Sequence, residues 1–163
     1  MNLRVDTVEL AGGRHATREV VEHGDVVAIV PLLEDGDLLL VRQYRLPTEQ
    51  VMLEVPAGGV DGDETPEDAA QRELREECGQ RAGRLEHLGG FYVSPGFCSE
   101  FVHVFLATEL EPSPLRPDAD EQLAVVRVPF GEALRLVSAG EIRDAKTIIG
   151  LTWAAAKSAR FHD

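Results

Sequence analysis

The chain has 163 residues, a 44% hydrophobic fraction and a formal net charge of −13. This length suits one domain with a sizeable core, and the acidic charge argues against a nucleic-acid-binding surface, which needs a basic footprint. Its two cysteines show neither a disulfide framework nor the paired spacing of a zinc site. Because no apolar run reaches membrane-spanning length and the first ten residues lack the apolar core of a signal peptide, we expect a cytoplasmic protein with no membrane partner.

Strand patterns dominate the chain, and helical patterns are confined to three segments. The predicted strands span residues 3–10, 18–23, 25–33, 37–46, 51–55, 85–93, 101–109 and 123–128. The predicted helices span about 66–78, 131–138 and 144–158. The turn at residues 34–36 predicts a hairpin between the third and fourth strands, and His15 is expected in a polar surface turn after two glycines. Strands with few interspersed helices predict a mixed sheet with helices on its faces.

The first predicted helix has clear signals at both ends. Thr65 is a good N-cap, Pro66 occupies the first helical position, where its missing N–H is harmless, and Gly79 fits the position just beyond the helix. At about 100° per residue, one face of this helix is a narrow apolar stripe that can dock on a sheet. The residues of that stripe are Ala70, Leu74 and Cys78.

A second face of the same helix carries the side chains of Glu73, Glu76 and Glu77. Like charges at this spacing destabilise a helix by a few tenths of a kcal/mol per pair, and Arg72 offsets only part of the repulsion. A divalent cation would remove it, and a set of oxygen ligands favours Mg²⁺ or Mn²⁺ over zinc. The alternative is a solvated acidic face, which is what most runs of charge are.

The spacing around this cluster resembles the Nudix box, GX5EX7REUXEEXGU, where U is an aliphatic residue. The matching residues are Gly58, Glu64, Arg72, Glu73, Leu74, Glu76, Glu77 and Gly79. Gln80 departs from the pattern, because an aliphatic residue is usual there. This resemblance implies an α/β/α sandwich and a metal-dependent hydrolase acting on a nucleoside diphosphate linked to another group.

The resemblance also implies a role for each residue of the box. Glu73 and Glu77 would be carboxylate ligands of the metal, with Glu76 beside them as a ligand or supporting acid. The carbonyl oxygen of Ala57 would be a further ligand, and Arg72 and Glu64 would hold the glutamates by ion pairing.

Outside the box, three segments resemble ADP-ribose pyrophosphatases: 42–45 (RQYR), 53–58 (LEVPAG) and 94–96 (SPG). By this resemblance Arg45 would contact the substrate phosphates or ribose, Glu54 the nucleoside side, and Arg18 the site of a partner subunit. The loop over the nucleotide or terminal ribose would be shaped by Pro95, Gly96, Phe97 and Glu100. Arg45 could instead be an ordinary surface arginine and Phe97 could only pack its loop, whereas Glu54 needs a specific partner in so apolar a strand.

The expected reaction is hydrolysis of the pyrophosphate of ADP-ribose to AMP and ribose 5-phosphate. Metal ions would cancel the charge of the pyrophosphate and lower the pKa of bound water. The resemblance implies a general base on a loop after the box, and the acidic run at 118–121 occupies that region. Glu121 is the first choice and Asp120 the second, and a merely solvated acidic loop is the alternative.

The sequence is also compatible with two other functions. The substrate could be GDP-mannose, another nucleoside diphosphate sugar or a dinucleotide, or the domain could sense ADP-ribose without cleaving it. The intact glutamate set argues against a sensor, which has no need of a metal site. The resemblance further implies a homodimer, with residues 1–24 at the interface, possible exchange of these strands between subunits, and residues 25–163 as the catalytic core.

Overall fold

The computed structural model describes residues 1–116 and 123–159. Nine strands are described: β1 (Asn2–Glu9), β2 (His15–Glu22), β3 (Val26–Pro31), β4 (Asp37–Arg45), β5 (Gln50–Glu54), β6 (Ala57–Gly59), β7 (Gln80–Tyr92), β8 (Phe101–Pro112) and β9 (Leu123–Pro129). The helices in these ranges are α1 (Pro66–Cys78), α2 (Phe130–Ser138) and α3 (Ala145–Ala159), with a 3₁₀ turn at Leu46–Thr48. No helix of the described ranges is long and apolar enough to cross a membrane.

The core consists of two apolar layers on opposite faces of a mixed four-stranded sheet with the order β6-β3-β8-β7. Successive side chains of a strand point to opposite faces, so β3, which is buried on both, contributes to both layers. Val27 and Ile29 pack with Leu74 of α1, whereas Val30 packs with Leu151 of α3. A three-stranded antiparallel sheet, β5-β4-β9, completes the body, and the predicted α/β/α sandwich is confirmed.

Helix α1 forms as the sequence predicts. The backbone N–H of Asp68 donates to the Thr65 hydroxyl at 3.2 Å, and Gly79 ends the helix in the left-handed conformation with φ 67°. Leu74 is fully buried, and burial raises the pKa of the Cys78 thiol to about 12, with the charge of Glu77 adding to the shift. Cys78 is therefore a core residue that does not ionise at neutral pH.

The predicted hairpin between β3 and β4 is wrong beyond its turn. The turn closes through the Leu33 N–H, which donates to the Asp37 carbonyl at 2.8 Å, but the two strands then enter different sheets. The physical reason is that β3 is apolar on both faces and lies between β6 and β8, whereas β4 pairs with β5 and β9.

Several predicted strand ends also differ from the structure. The strand predicted at 18–23 begins at His15, so this residue lies in β2 and not in a turn, although its side chain is exposed as expected. The strand predicted at 85–93 begins at Gln80, directly after α1, and β8 continues to Pro112. Each extension is held by a register of backbone pairs that the side-chain pattern does not reveal, such as Gln80 opposite Pro112.

Strands β1 and β2 form a separate two-stranded ribbon. Their eight paired positions run from Asn2 opposite Glu22 to Glu9 opposite His15. Leu3 and Val5 are 72% and 62% exposed, so one face of β1 presents apolar side chains to the surface. An isolated two-stranded ribbon is marginally stable in water, so this ribbon needs packing beyond its own two strands.

Candidate active site

The acidic face of α1 lies against the short strand β6. Glu73 and Glu77 are only 7% and 6% exposed, and the Ala57 N–H donates to Oε2 of Glu77 at 3.1 Å. A Cβ atom placed on Gly58 would lie 1.9 Å from Oε1 of Glu73. Only glycine therefore lets the strand approach the Glu73 carboxylate this closely.

Arg72 is the cation at the centre of this cluster. Its Nη1 donates to Oε1 of Glu73 at 2.6 Å and to Oε2 of Glu76 at 3.0 Å, and its Nη2 donates to Oε1 of Glu64 at 2.7 Å. Nη2 also donates to the Gly59 carbonyl at 2.8 Å. The hydrogen bond to Glu64 is the main cause that raises the pKa of Arg72, and it lowers the pKa of Glu64. Arg72 thus contacts Glu73 and Glu76 directly, whereas Glu64 contacts Arg72. The role of both residues in holding the metal ligands stays a prediction.

The donor set fits a hard divalent cation, because it consists of carboxylate and carbonyl oxygens. Among the described residues, however, no three acidic, histidine or cysteine side chains are gathered closely enough to hold one ion. Glu73 and Glu76 are turned to Arg72, and Glu77 is turned to the Ala57 amide. A metal held by this set would therefore share these carboxylates with Arg72 and with the Ala57 amide.

A second charged cluster surrounds Glu54, which lies three residues before Ala57 in the sequence. Glu54, the last residue of β5, is 1% exposed and accepts a two-pronged interaction from Arg45, with Nε at 2.8 Å and Nη2 at 2.7 Å. Lys146 of α3 donates to the same carboxylate and to Oδ1 of Asp144, the latter at 3.0 Å. The specific partner expected for Glu54 is therefore a pair of cations.

Lys146 and Asp144 are the site residues that the sequence analysis missed. The available signal was the requirement of Glu54 for a buried partner, since an unpaired carboxylate in an apolar strand is costly. Nothing in the spacing shows which cation meets that requirement, because Lys146 lies 92 residues away in sequence. Both oxygens of Glu54 are engaged in this structure, and its contact with the nucleoside stays a prediction.

Glu54→Gln should lower the free energy of unfolding by roughly 3 kcal/mol at pH 7, because it leaves Arg45 and Lys146 side by side without their buried anion. Burial opposes ionisation, yet the hydrogen bond from Arg45 and the charge of Lys146 outweigh it and lower the pKa of Glu54 from the ordinary value of a glutamate. The stabilisation by ionised Glu54 is therefore complete above the pKa that a glutamate has in the unfolded chain. It is lost as the pH falls through the lower pKa of Glu54 in the folded protein.

Urea unfolding at pH 7 and at about pH 3.5 tests this sign, because the gap between wild type and Glu54→Gln should narrow in acid. Glu111→Gln, which changes an exposed glutamate of β8, serves as the control and should be near neutral at both pH values. A gap that widens on acidification would contradict the assignment of Glu54 as a buried anion.

The remaining predicted contacts lie on the ribbon and on the loop before β8. Arg18 is exposed on β2, and its Nη1 donates to the carbonyl of its neighbour Thr17 at 2.8 Å. The Val21 N–H of β2 donates to the Phe97 carbonyl at 2.7 Å, so ribbon and loop are joined. Phe97 is 55% exposed, and its loop neighbours Pro95 and Gly96 are also exposed.

Glu100 is half-buried, and its carbonyl accepts from the Val93 N–H at 3.2 Å, which closes the base of the loop. Its role in shaping the substrate site stays a prediction. The two candidates for the general base, Glu121 and Asp120, lie outside the described residues.

Comparison with known proteins places this arrangement in a family. A sequence profile described as the NUDIX domain matches residues 22–149. The chain is 40% identical to an ADP-ribose pyrophosphatase of Bacillus subtilis (strain 168) over 161 residues, which covers 98% of this chain and 87% of that protein. It is 35% identical over 147 residues to a GDP-mannose pyrophosphatase of Yersinia enterocolitica, with coverage of 84% and 76%.

The fold agrees with this placement. A crystal structure described as an ADP compounds hydrolase superposes with a TM-score of 0.86 at 28% sequence identity and covers 94% of this chain and 84% of that chain. The profile match takes in both charged clusters, from Arg45 to Lys146. With the box glutamates on α1 and this extent of similarity, the chain belongs to the Nudix family.

Proposed function

We propose that this protein hydrolyses the pyrophosphate bond of ADP-ribose to AMP and ribose 5-phosphate in a reaction that depends on a divalent metal. The observation that carries the proposal is the placement of the buried carboxylates Glu73 and Glu77 beside the segment that leads from Glu54 to Gly58. An acidic cluster and a nearby arginine, Arg45, suit an anionic substrate whose charge is neutralised by metal. Similarity to named ADP-ribose pyrophosphatases supports the choice of substrate.

Glu73, Glu77 and the Ala57 carbonyl would hold the metal, with Glu76 as a further ligand or a supporting acid, and Mg²⁺ is the proposed ion with Mn²⁺ as the alternative. When bound, the metal supplies charge neutralisation of the pyrophosphate and a lowered pKa for the attacking water. Arg72 keeps the glutamates oriented, since it contacts Glu73 and Glu76 at once.

The other residues bind the substrate or move its protons. Arg45 would contact the phosphates, Glu54 would serve the nucleoside side, and the loop at 95–97 with Glu100 would cover the nucleotide or terminal ribose. Glu121, or Asp120 in second place, would take the proton of the attacking water. The water oxygen then forms a bond to one phosphorus atom as the bridging P–O bond breaks, and the second phosphate leaves with its oxygen.

The test is AMP release from ADP-ribose by the wild-type protein with Mg²⁺, with Mn²⁺ and with EDTA. We expect turnover with either metal and none with EDTA. Binding of ADP-ribose without cleavage across metals would overturn the enzyme in favour of a sensor. The similarity to GDP-mannose pyrophosphatases favours GDP-mannose as the second candidate substrate, and a higher kcat/KM for GDP-mannose in the same assay would make it the preferred one.

We further propose a homodimer in which the ribbon of one subunit, or an exchanged copy of it, packs on its partner. The exposed apolar residues Leu3 and Val5, on a ribbon that is separate from the other two sheets, support this arrangement. It would bring Arg18 towards the partner's site. The predictions that the protein is cytoplasmic and binds neither nucleic acid nor membrane rest on the sequence.

Replacing both Leu3 and Val5 with aspartate should shift the protein from dimer to monomer, because buried unpaired carboxylates at an interface cost several kcal/mol. Molar mass from light scattering measures the change. Val125→Asp, at an exposed apolar position of β9 that is 47% exposed, is the matched control and should leave the mass unchanged. A wild type that is monomeric at micromolar concentration would rule out the proposed assembly.

A further inference from the structure

The start of α3 is hydrogen-bonded to the end of β5. Oδ2 of Asp144 accepts from the N–H of Thr147 at 2.9 Å and from its hydroxyl at 2.6 Å, and so caps the helix. The Thr147 hydroxyl oxygen in turn accepts from the Val55 N–H at 2.9 Å, and Thr147 is fully buried. The helix start and the strand end therefore form one rigid unit, three residues before the Gly58 segment.

Lys146 extends from this unit to Glu54. Its ammonium lies between the carboxylates of Glu54 and Asp144, and its side chain is only 16% exposed. With Arg45 on the other side, two cations and two carboxylates alternate, so the cluster is neutral overall. Glu54 thus has two cationic partners, and removal of either would leave the buried carboxylate with only one.

This arrangement determines what Arg45 can offer a ligand. Nε and Nη2 of Arg45 hold Glu54, whereas Nη1 donates no hydrogen bond within the described residues, and 38% of the side chain is exposed. The hydrogen bond to Glu54 is the main cause that raises the pKa of Arg45, and the charge of Glu77 adds to it, so Arg45 lies within electrostatic reach of this box carboxylate. Its remaining donors suit phosphate oxygens, which guanidinium groups recognise well.

We propose that Lys146 is a positioning residue for pyrophosphate recognition: it neutralises Glu54 from the α3 side and thereby keeps Arg45 oriented, with spare donors, toward the substrate phosphates. Without Lys146, Arg45 would be the sole cation on a buried carboxylate and would be drawn more fully onto Glu54. The inference rests on the proposed function, since it gives Lys146 a role in binding that same substrate.

The experiment compares Lys146→Met with Lys157→Met. Both changes remove a lysine ion pair of α3, but Lys157 pairs with Glu86 at the other end of the helix. We measure Kd for ADP-ribose by calorimetry in EDTA, where no hydrolysis is expected, and KM and kcat with Mg²⁺. In Lys146→Met both Kd and KM should rise about tenfold, while kcat should stay within about threefold of wild type. The reason is that a contact of equal strength in the ground state and the transition state affects KM and not kcat.

Matched variants separate positioning from structural support. Lys157→Met should bind ADP-ribose as the wild type does, and Lys146→Arg should restore most of the affinity because it keeps the charge. Lys146→Gln, which can still hydrogen-bond but lacks the charge, should show the same loss as methionine and replaces it if that variant does not fold. Thermal unfolding of each variant without ligand reports any change in stability alone.

The decisive readout is the double variant with Glu54→Gln, in which no buried anion is left without a cation. If Lys146 acts through Glu54 on Arg45, its loss should add nothing once the charge of Glu54 is gone, whereas independent effects would multiply. The inference is overturned if Lys146→Met binds ADP-ribose with the same Kd as Lys157→Met. It is also overturned if the increases in Kd of the two single variants multiply in the double variant. In either case an active wild type leaves the proposed function standing. A wild type that neither binds nor cleaves ADP-ribose overturns the proposed function, and this inference with it.

Discussion

Glu77→Gln should reduce metal-dependent hydrolysis of ADP-ribose on the order of 10³-fold, which corresponds to about 4 kcal/mol at the transition state. Glutamine removes the charge and one ligand oxygen but keeps the size of the side chain. Its remaining oxygen can still accept from the Ala57 N–H, which lies 3.1 Å from Oε2 of Glu77. The fold should therefore survive and the loss should appear in activity.

The measurement is the rate of AMP release as a function of Mg²⁺ concentration, with Mn²⁺ affinity from paramagnetic resonance as a readout that needs no turnover. Glu67→Gln removes the same charge from an exposed position of the same helix and is the control. We expect the control to stay within about threefold of wild type, since exposed charges contribute little. Equal activity of Glu77→Gln and wild type would remove Glu77 from the metal site.

Sequence reasoning succeeded where the determinants are local. The ends of α1 follow from Thr65, Pro66 and Gly79, which act within one turn of the helix, and the apolar stripe with Leu74 follows from helical geometry. The placement of the three glutamates on one side of α1 follows from the same geometry. Local rules of this kind need no knowledge of the rest of the fold. The prediction of an α/β/α sandwich around α1 came from the family resemblance.

Pairings between distant segments were not predictable in the same way. Glu54 was expected to have a partner, yet the identity of Lys146 depends on where α3 packs, which the alternation of strand residues does not determine. The prediction of a hairpin between β3 and β4 was wrong for a similar reason. The turn residues indicate that the chain reverses, but they do not indicate which sheet each strand then joins. The register of a strand and its partners in a sheet are determined by tertiary packing.

The glycine at the start of the box illustrates a third case, in which a residue is recognisable by spacing but explained only by the structure. Gly58 matches the first letter of the pattern, and its geometry shows why a side chain is excluded: a Cβ atom there would lie 2.6 Å or less from both carboxylate oxygens of Glu73. At Gly59, by contrast, the nearest atom is 4.0 Å away, on Asp61. The two adjacent glycines therefore differ in whether a side chain would fit.

Gly58→Ala should lower metal affinity or activity by about 10- to 100-fold while the protein stays folded. The obstructing atoms are the end of a flexible side chain, so Glu73 can turn away at a cost in stability of about 1–3 kcal/mol, but it then leaves the position from which it would ligate metal. Gly59→Ala, with open space for its methyl group, is the matched control and should retain wild-type Mg²⁺ dependence. If both variants need the same Mg²⁺ concentration as the wild type, the close approach of Gly58 to Glu73 has no part in the metal site. If Gly58→Ala alone needs a higher Mg²⁺ concentration, glycine is required at the start of the box because it leaves room for the Glu73 carboxylate.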